Sequence, residues 1–192
     1  MKYIENQRFG EERALYNSTN IVVKNCRFEG EEDGESALKE SQQVVLEDCF
    51  MDLRYPLWHN TDLKINRVTM TQNCRAALWY VQNVNISESN LLGIKALREC
   101  GQINIKNCKI VSPEFGWRCK DIHLEKTELT GEYIFFESEN IFIDNMTFTG
   151  KYSFQYTQTM EIKNSLLKTK DAFWHSKNVT AVSYTHLRAH ET

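Results

Sequence analysis

Apolar and polar residues alternate in short bursts along this chain, and the bursts return at a fixed spacing. The clearest is Gln102-Ile103-Asn104-Ile105-Lys106-Asn107-Cys108-Lys109-Ile110. With Ile103 as the zero position, its equivalents are Ile21, Val44, Leu63, Val84, Ile122, Ile141, Met160 and Val179. They lie 23, 19 and 21 residues apart at first and a uniform 19 from Val84 onward. Two residues on, the same coils carry Val23, Leu46, Ile65, Ile86, Ile105, Leu124, Ile143 and Ile162. Apolar columns recur at plus seven (Phe28, Met51, Ile110, Phe148) and at minus six (Leu15, Leu38, Leu57, Leu78, Leu97, Gly116, Phe135, Phe154, Phe173). Alternation at zero and plus two predicts a strand. Its loss by plus five predicts a bend, and Asn25, Asp48, Asn107, Asn145 and Asn164 stand at plus four, where Asn and Asp tolerate left-handed backbone. Gly93, Gly131 and Gly150 after plus seven predict a second corner.

A period near 19 with short strands and no helix-length segment is one turn of a parallel β-helix, an all-β solenoid of about nine coils. The leucine-rich frame L-x-x-L-x-L-x-x-N is missing. One coil buries too few side chains to offset the entropy of ordering it, so stacked neighbours must supply the stability. Residues 1–180 read as one domain. Within it, 3–10 are expected to cap the N-terminal end and 30–36 to bulge as an acidic loop, Gly30-Glu31-Glu32-Asp33-Gly34-Glu35 ahead of Ser36. Residues 181–192 depart from the columns. The run from Ser183 to Thr192 looks like a translated transposase adapter from a sequencing library, which implies a non-native tail on a rod that continues past Thr180 in the native protein. His186 and His190, at i and i+4, belong to that tail and are not read as a metal site.

The chain has 192 residues, 23 basic and 26 acidic, with a net charge of −3. No basic patch points to nucleic acid, and no apolar run of membrane-spanning length occurs. The six cysteines follow the repeat: Cys26, Cys49 and Cys108 share the plus-five column, and Cys100 and Cys119 the minus-three column. Stacked core thiols of a cytosolic protein explain that spacing. Cys74, off both columns, reads as a loop thiol.

Chemistry concentrates beside the Leu/Phe column. At minus five stand Lys39, Trp58, Trp79, Arg98, Trp117, Phe136, Gln155 and Trp174, which include every Trp of the chain; at minus four stand Glu40, His59, Tyr80, Glu99, Arg118, Glu137, Tyr156 and His175. If the Leu/Phe column points in, strand alternation turns the Trp column out. Trp58, His59, Trp79, Tyr80, Trp117, Trp174 and His175 are then ligand-binding candidates, suited to stacking on sugar rings; packing over a corner is the competing explanation. Glu99 and Glu137, two coils apart with Arg118 between them, are the candidate set for a carbohydrate hydrolase or lyase. An Arg beside a carboxyl disfavours its acid form, and the same three residues also make a neutralised charge ladder. The sequence therefore favours a non-catalytic binding or scaffold protein whose partner is a glycan or small molecule. An assembly module is a further alternative. No metal or cofactor is expected.

The repeats Asn20 to Phe28 and Gln102 to Ile110, with Glu11-Glu12-Arg13-Ala14-Leu15-Tyr16 and Ala76-Ala77-Leu78-Trp79, resemble a bacterial family catalogued as domain of unknown function 3737. The resemblance spans about residues 3–180. That family is similar to the pectin-lyase-like right-handed β-helices, which implies right-handed coils and a cytoplasmic setting. It brings no catalytic residues.

Overall fold

A computed structural model describes residues 1–30 and 34–188. Among them there is no helix, and so none long and apolar enough to cross a membrane. The strands form two ten-stranded sheets. The chain alternates between them, from Lys2–Glu5 in one and Arg8–Phe9 in the other, to Lys177–Val182 and Thr185–Leu187. Every strand pairs in parallel with its equivalent one coil away, and the register is that of the sequence columns: Val84, Ile103, Ile122 and Ile141 are successive partners in the first sheet, Leu91, Ile110, Leu129 and Phe148 in the second. The expected parallel β-solenoid is therefore present, with ten coils where the repeat predicts about nine. The additional coil is the N-terminal segment. It lies over the end of the next coil as a cap would, and does so as a coil of its own, with Lys2 opposite Ile21, Ile4 opposite Val23 and Phe9 opposite Phe28. Its inward columns at zero and plus five carry Lys2 and Gln7, both exposed, and a charge at an inward position of an edge strand discourages further pairing.

A third face joins the second sheet to the first. It is bent, because residues at minus eight, minus six and minus four adopt positive φ in coil after coil: Tyr55, Leu57 and His59, then Ala76, Leu78 and Tyr80, then Lys95, Leu97 and Glu99. Such a backbone costs about 1–3 kcal/mol at a non-glycine residue unless its surroundings fix it. Here hydrogen bonds between coils fix it, and they alternate in direction. The minus-six N–H donates to the preceding coil (Leu57 to Ala37, 2.9 Å; Leu97 to Ala77, 2.9 Å), and the minus-four N–H to the following one (His59 to Trp79, 2.9 Å; Glu99 to Trp117, 2.9 Å). The minus-three side chain completes the corner. Asn60 Nδ2 donates to the Leu38 carbonyl at 2.8 Å, the Cys100 thiol to that of Leu78 at 2.9 Å and the Ser138 hydroxyl to that of Gly116 at 2.6 Å. The expected bend at plus four is also present, with Asn25, Asp48, Asn107, Asn145 and Asn164 all at positive φ. Gly131 and Gly150 are not at a corner. They pair directly within strands Glu128–Glu132 and Thr147–Lys151, and a Cβ on Gly150 would fall 1.8 Å from the Gly131 carbonyl oxygen, so close strand approach requires the glycine.

The core fills by stacking like on like. Minus six is Leu through Leu97 and Phe from Phe135 on; the rings of Phe135, Phe154 and Phe173 stack at 5.9 and 5.2 Å. Gly116, at φ +72, stands at the change-over, and its neighbour Phe115 occupies a minus-seven position that is Ala in most other coils (Ala37, Ala77, Ala96). The bulk has moved back by one residue: Phe115 is fully buried and meets Phe135 edge to face at 5.5 Å. All six cysteines are free and buried, Cys74 among them. Cys74 is thus a core thiol and not the expected loop thiol; the chain folds it inward to donate to the Met51 carbonyl at 3.0 Å. Burial pushes the thiols of Cys49 and Cys74 up to about 11, and raises those of Cys108 and Cys119 as well.

The acidic insertion lies in part outside the described residues. Where the chain leaves and re-enters, a Cβ on Gly30 would lie 2.5 Å from the Gly34 Cα, so the two backbones touch and close the neck. Of the tail, Thr185–Leu187 pairs with Leu166–Lys170, and His186 stands opposite Leu167 in the plus-seven column. His190 lies outside the described residues.

Two outcomes follow from the packing. Gly116→Leu, which restores the column's commonest residue, is expected to destabilise by about 1–3 kcal/mol through overpacking, because its Cβ alone would lie 2.6 Å from the Phe135 ring. Adding Phe115→Ala should recover most of that loss in a double-mutant cycle read by chemical denaturation; a loss that does not recover contradicts the exchange of bulk. In a thiol-titration assay at pH 8, none of the six cysteines should react in the folded protein, and all should react in denaturant. Rapid labelling of native Cys74 would show its burial to be wrong.

Candidate functional site

The minus-five side chains lie along the ridge of the third face. Left-handed residues on either side turn each one outward and along the rod, toward the next coil. The Trp58 indole N–H donates to the Ala76 carbonyl at 2.6 Å, Trp79 to Lys95 at 2.7 Å and Trp117 to Tyr133 at 2.6 Å. In each case the acceptor is the minus-eight residue of the following coil. The rings consequently face one another. Trp58 stacks on Trp79 at 4.8 Å and 11°. The Arg98 guanidinium carbon stands 4.6 Å from the Trp79 ring and 4.9 Å from that of Trp117, and Trp117 meets Phe136 at 5.0 Å. Trp58 to Phe136 form one uninterrupted stack in which every member is half-buried. The sequence places the Trp residues together and at the surface. Its expectation of ring faces open to a sugar is not what this geometry offers: the faces are covered by neighbours and the outer edges remain.

Arg98 was absent from the candidate set and is central to the stack. Its signal was positional, since it occupies the Trp column between Trp79 and Trp117. Only Trp174 is well exposed, at 61%; no described coil supplies a minus-five residue beyond it. Gln155 interrupts the column before it, being 7% exposed, and the aromatic contacts detour through Tyr156, 5.6 Å from Phe136 and 6.5 Å from Trp174.

Beside the ridge runs the minus-four row. His59 and Tyr80 stack at 4.7 Å, and Tyr156 and His175 at 5.0 Å. Between these pairs, Arg118 Nε donates to Glu137 Oε2 at 2.8 Å, and its Nη1 lies 3.9 Å from Glu99 Oε1. The hydrogen bond to Glu137 raises the Arg118 pKa further. The three residues proposed as a catalytic set are therefore brought together, as an exposed ion-pair row of a kind that contributes little to stability.

Next to that row the minus-two column loses its side chain at Gly101. The result is a notch of about 540 Å³ lined by Gln82, Glu99, Gln102, Arg118, Lys120 and Asp121. It offers donors from the amides and cations and acceptors from the carboxylates. Among the described residues, no three His, Cys, Asp or Glu side chains are grouped to hold a metal ion.

No curated protein matches the chain. Among solved structures it is similar to QnrB1, described as a plasmid-mediated fluoroquinolone resistance protein, with 12% identity, a TM-score of 0.33, and coverage of 94% of this chain and 91% of that one. A family model described as "Protein of unknown function (DUF3737)" matches residues 2–187, and the chain belongs to that family.

Proposed function

We propose that the protein is a non-catalytic binding scaffold, a stiff cytoplasmic rod that presents one polar notch to a glycan. The observation that carries this reading is the break in the minus-two column at Gly101, beside which a recess is lined by amide, cationic and carboxylate groups. Hydroxyl-rich ligands suit such a site, since each hydroxyl both donates and accepts. The alternative of a carbohydrate hydrolase or lyase is disfavoured by the pairing of Arg118 with Glu137 and Glu99: both carboxylates of that set are engaged with the same fixed cation. Six free thiols, with Cys100 and Cys119 in neighbouring coils, support a reducing compartment. The parallel coils and the Asn-rich corner column support kinship with the pectin-lyase-like β-helices.

Titration of the protein with a panel of neutral and acidic oligosaccharides, followed calorimetrically, tests the reading. At least one should bind saturably with no new reducing end or unsaturated product. Gly101→Gln should abolish that binding without lowering Tm, because Gln already stands in this column at Gln82 and Gln158, and an added Cβ meets only the flexible end of Gln82 at 2.5 Å. Product release would overturn the non-catalytic assignment. Equal binding by the Gln variant would move the site elsewhere.

A further inference from the structure

We infer that the recess between Tyr152 and Trp174 is a binding site for a quaternary ammonium ion. This site lies apart from the notch at Gly101 and does not depend on the glycan reading. The ridge itself shows what the minus-five column accepts. At Arg98, a delocalised cation sits between two aromatic rings, one from each neighbouring coil, at 4.6 and 4.9 Å. Three coils on, Gln155 holds that position with a shorter, uncharged side chain that is itself buried. The aromatic contacts pass around it through Tyr156, and a recess of about 350 Å³ remains, lined by Tyr152, Gln155, Asp171, Ala172 and Trp174. That is the low end of the range for small-molecule sites.

The lining selects the ligand. Aromatic rings attract a cation through their quadrupole, most strongly when the cation is poorly hydrated. Asp171 adds a carboxylate at the rim. A primary ammonium is a compact, strongly hydrated charge with three N–H donors to satisfy, and it must give up that hydration to lie against the rings. A trimethylammonium group has no donors and presents methyl groups to Trp174, Tyr152 and Ala172. One cation is already near: Lys151 Nζ stands 5.5 Å from the Tyr152 centroid, held by Glu132 at 3.3 Å. The ligand therefore leans on Trp174 and Asp171 more than on Tyr152.

The test is a calorimetric titration of the full chain with choline, set against 3,3-dimethylbutanol, its uncharged isostere. Choline should bind saturably, and the isostere should bind about tenfold more weakly or not at all. Asp171→Asn should weaken choline by roughly threefold to tenfold, as expected for one partly screened charge. Gln155→Arg places a guanidinium in the column as Arg98 does, and should abolish choline binding while leaving Tm unchanged or raised. Trp174→Leu, with circular dichroism confirming a folded rod, should abolish it too. Equal affinity for the isostere would show an apolar pocket and overturn the proposal. So would choline binding that survives Gln155→Arg, or a folded wild-type protein that gives no saturable signal.

Discussion

Hydrogen bonding between coils is the constraint on which everything else in this rod depends. A single coil has no partner within itself for most of its N–H and C=O groups. Each must find one a coil above or below, on the two sheets and on the bent third face alike. Pairing in fixed register places every residue directly over its equivalent about 4.8 Å away. A side chain is then chosen less for its own position than for its compatibility with a copy of that position. Aliphatic and aromatic columns satisfy this by stacking. Several charged columns satisfy it by alternating sign, as in Asp48–Arg67 at 2.6 Å, Lys120–Glu139 at 2.7 Å and Glu99–Arg118–Glu137. These pairs lie at the surface and contribute little each; what they avoid is the repulsion of like charges held one coil apart.

The same constraint accounts for the left-handed corners. Leu57, Leu78 and Leu97 have no intrinsic preference for positive φ, and neither Gly nor Asn stands at most minus-six positions. In isolation each would leave that conformation. In the stack the backbone donor of each residue holds it in place, and at Leu78 and Leu97 the minus-three thiol of the following coil also seals the carbonyl. Cys100, Asn60 and Ser138 perform the same task with different chemistry, which is why a column can mix thiol, amide and hydroxyl.

That difference between intrinsic and imposed conformation explains what the sequence made legible. The strands at zero and plus two follow from alternation of Ile, Val and Leu, and the plus-four bend from Asn and Asp, because in both the side chain itself states the preference. The N-terminal coil was harder to see, since Lys2 and Gln7 replace the apolar markers that define the columns. The third face was harder still. A Leu-Trp-His or Leu-Trp-Tyr run reads as a strand, and on a strand Trp58 and Trp79 would project straight out. Left-handed backbone at the residues on either side turns the indoles along the rod, where they find a carbonyl and another ring. Cys74 escaped for the same reason: its burial comes from the path of a 21-residue interval, and the period does not describe that interval.

A rod whose columns are all filled leaves nothing on its surface for a ligand to complete, so sites for partners are to be sought where a column is broken. Three breaks stand out here. Gly116 interrupts the Leu/Phe column, but Phe115 refills the gap from one residue away and the core closes over both. Gly101 interrupts the polar minus-two column, where only the flexible end of Gln82 leans over the glycine, and Gln155 interrupts the aromatic ridge; a recess lies beside each. The distinction is physical. An internal gap costs dispersion contacts and is selected against through stability. An external gap fills with water at little cost, so its retention is governed by whatever displaces that water. The polarity of each broken column then sets the chemistry of the occupant: hydroxyls for a notch walled by amides and charges, and an organic cation for a gap in a stack that elsewhere already holds one.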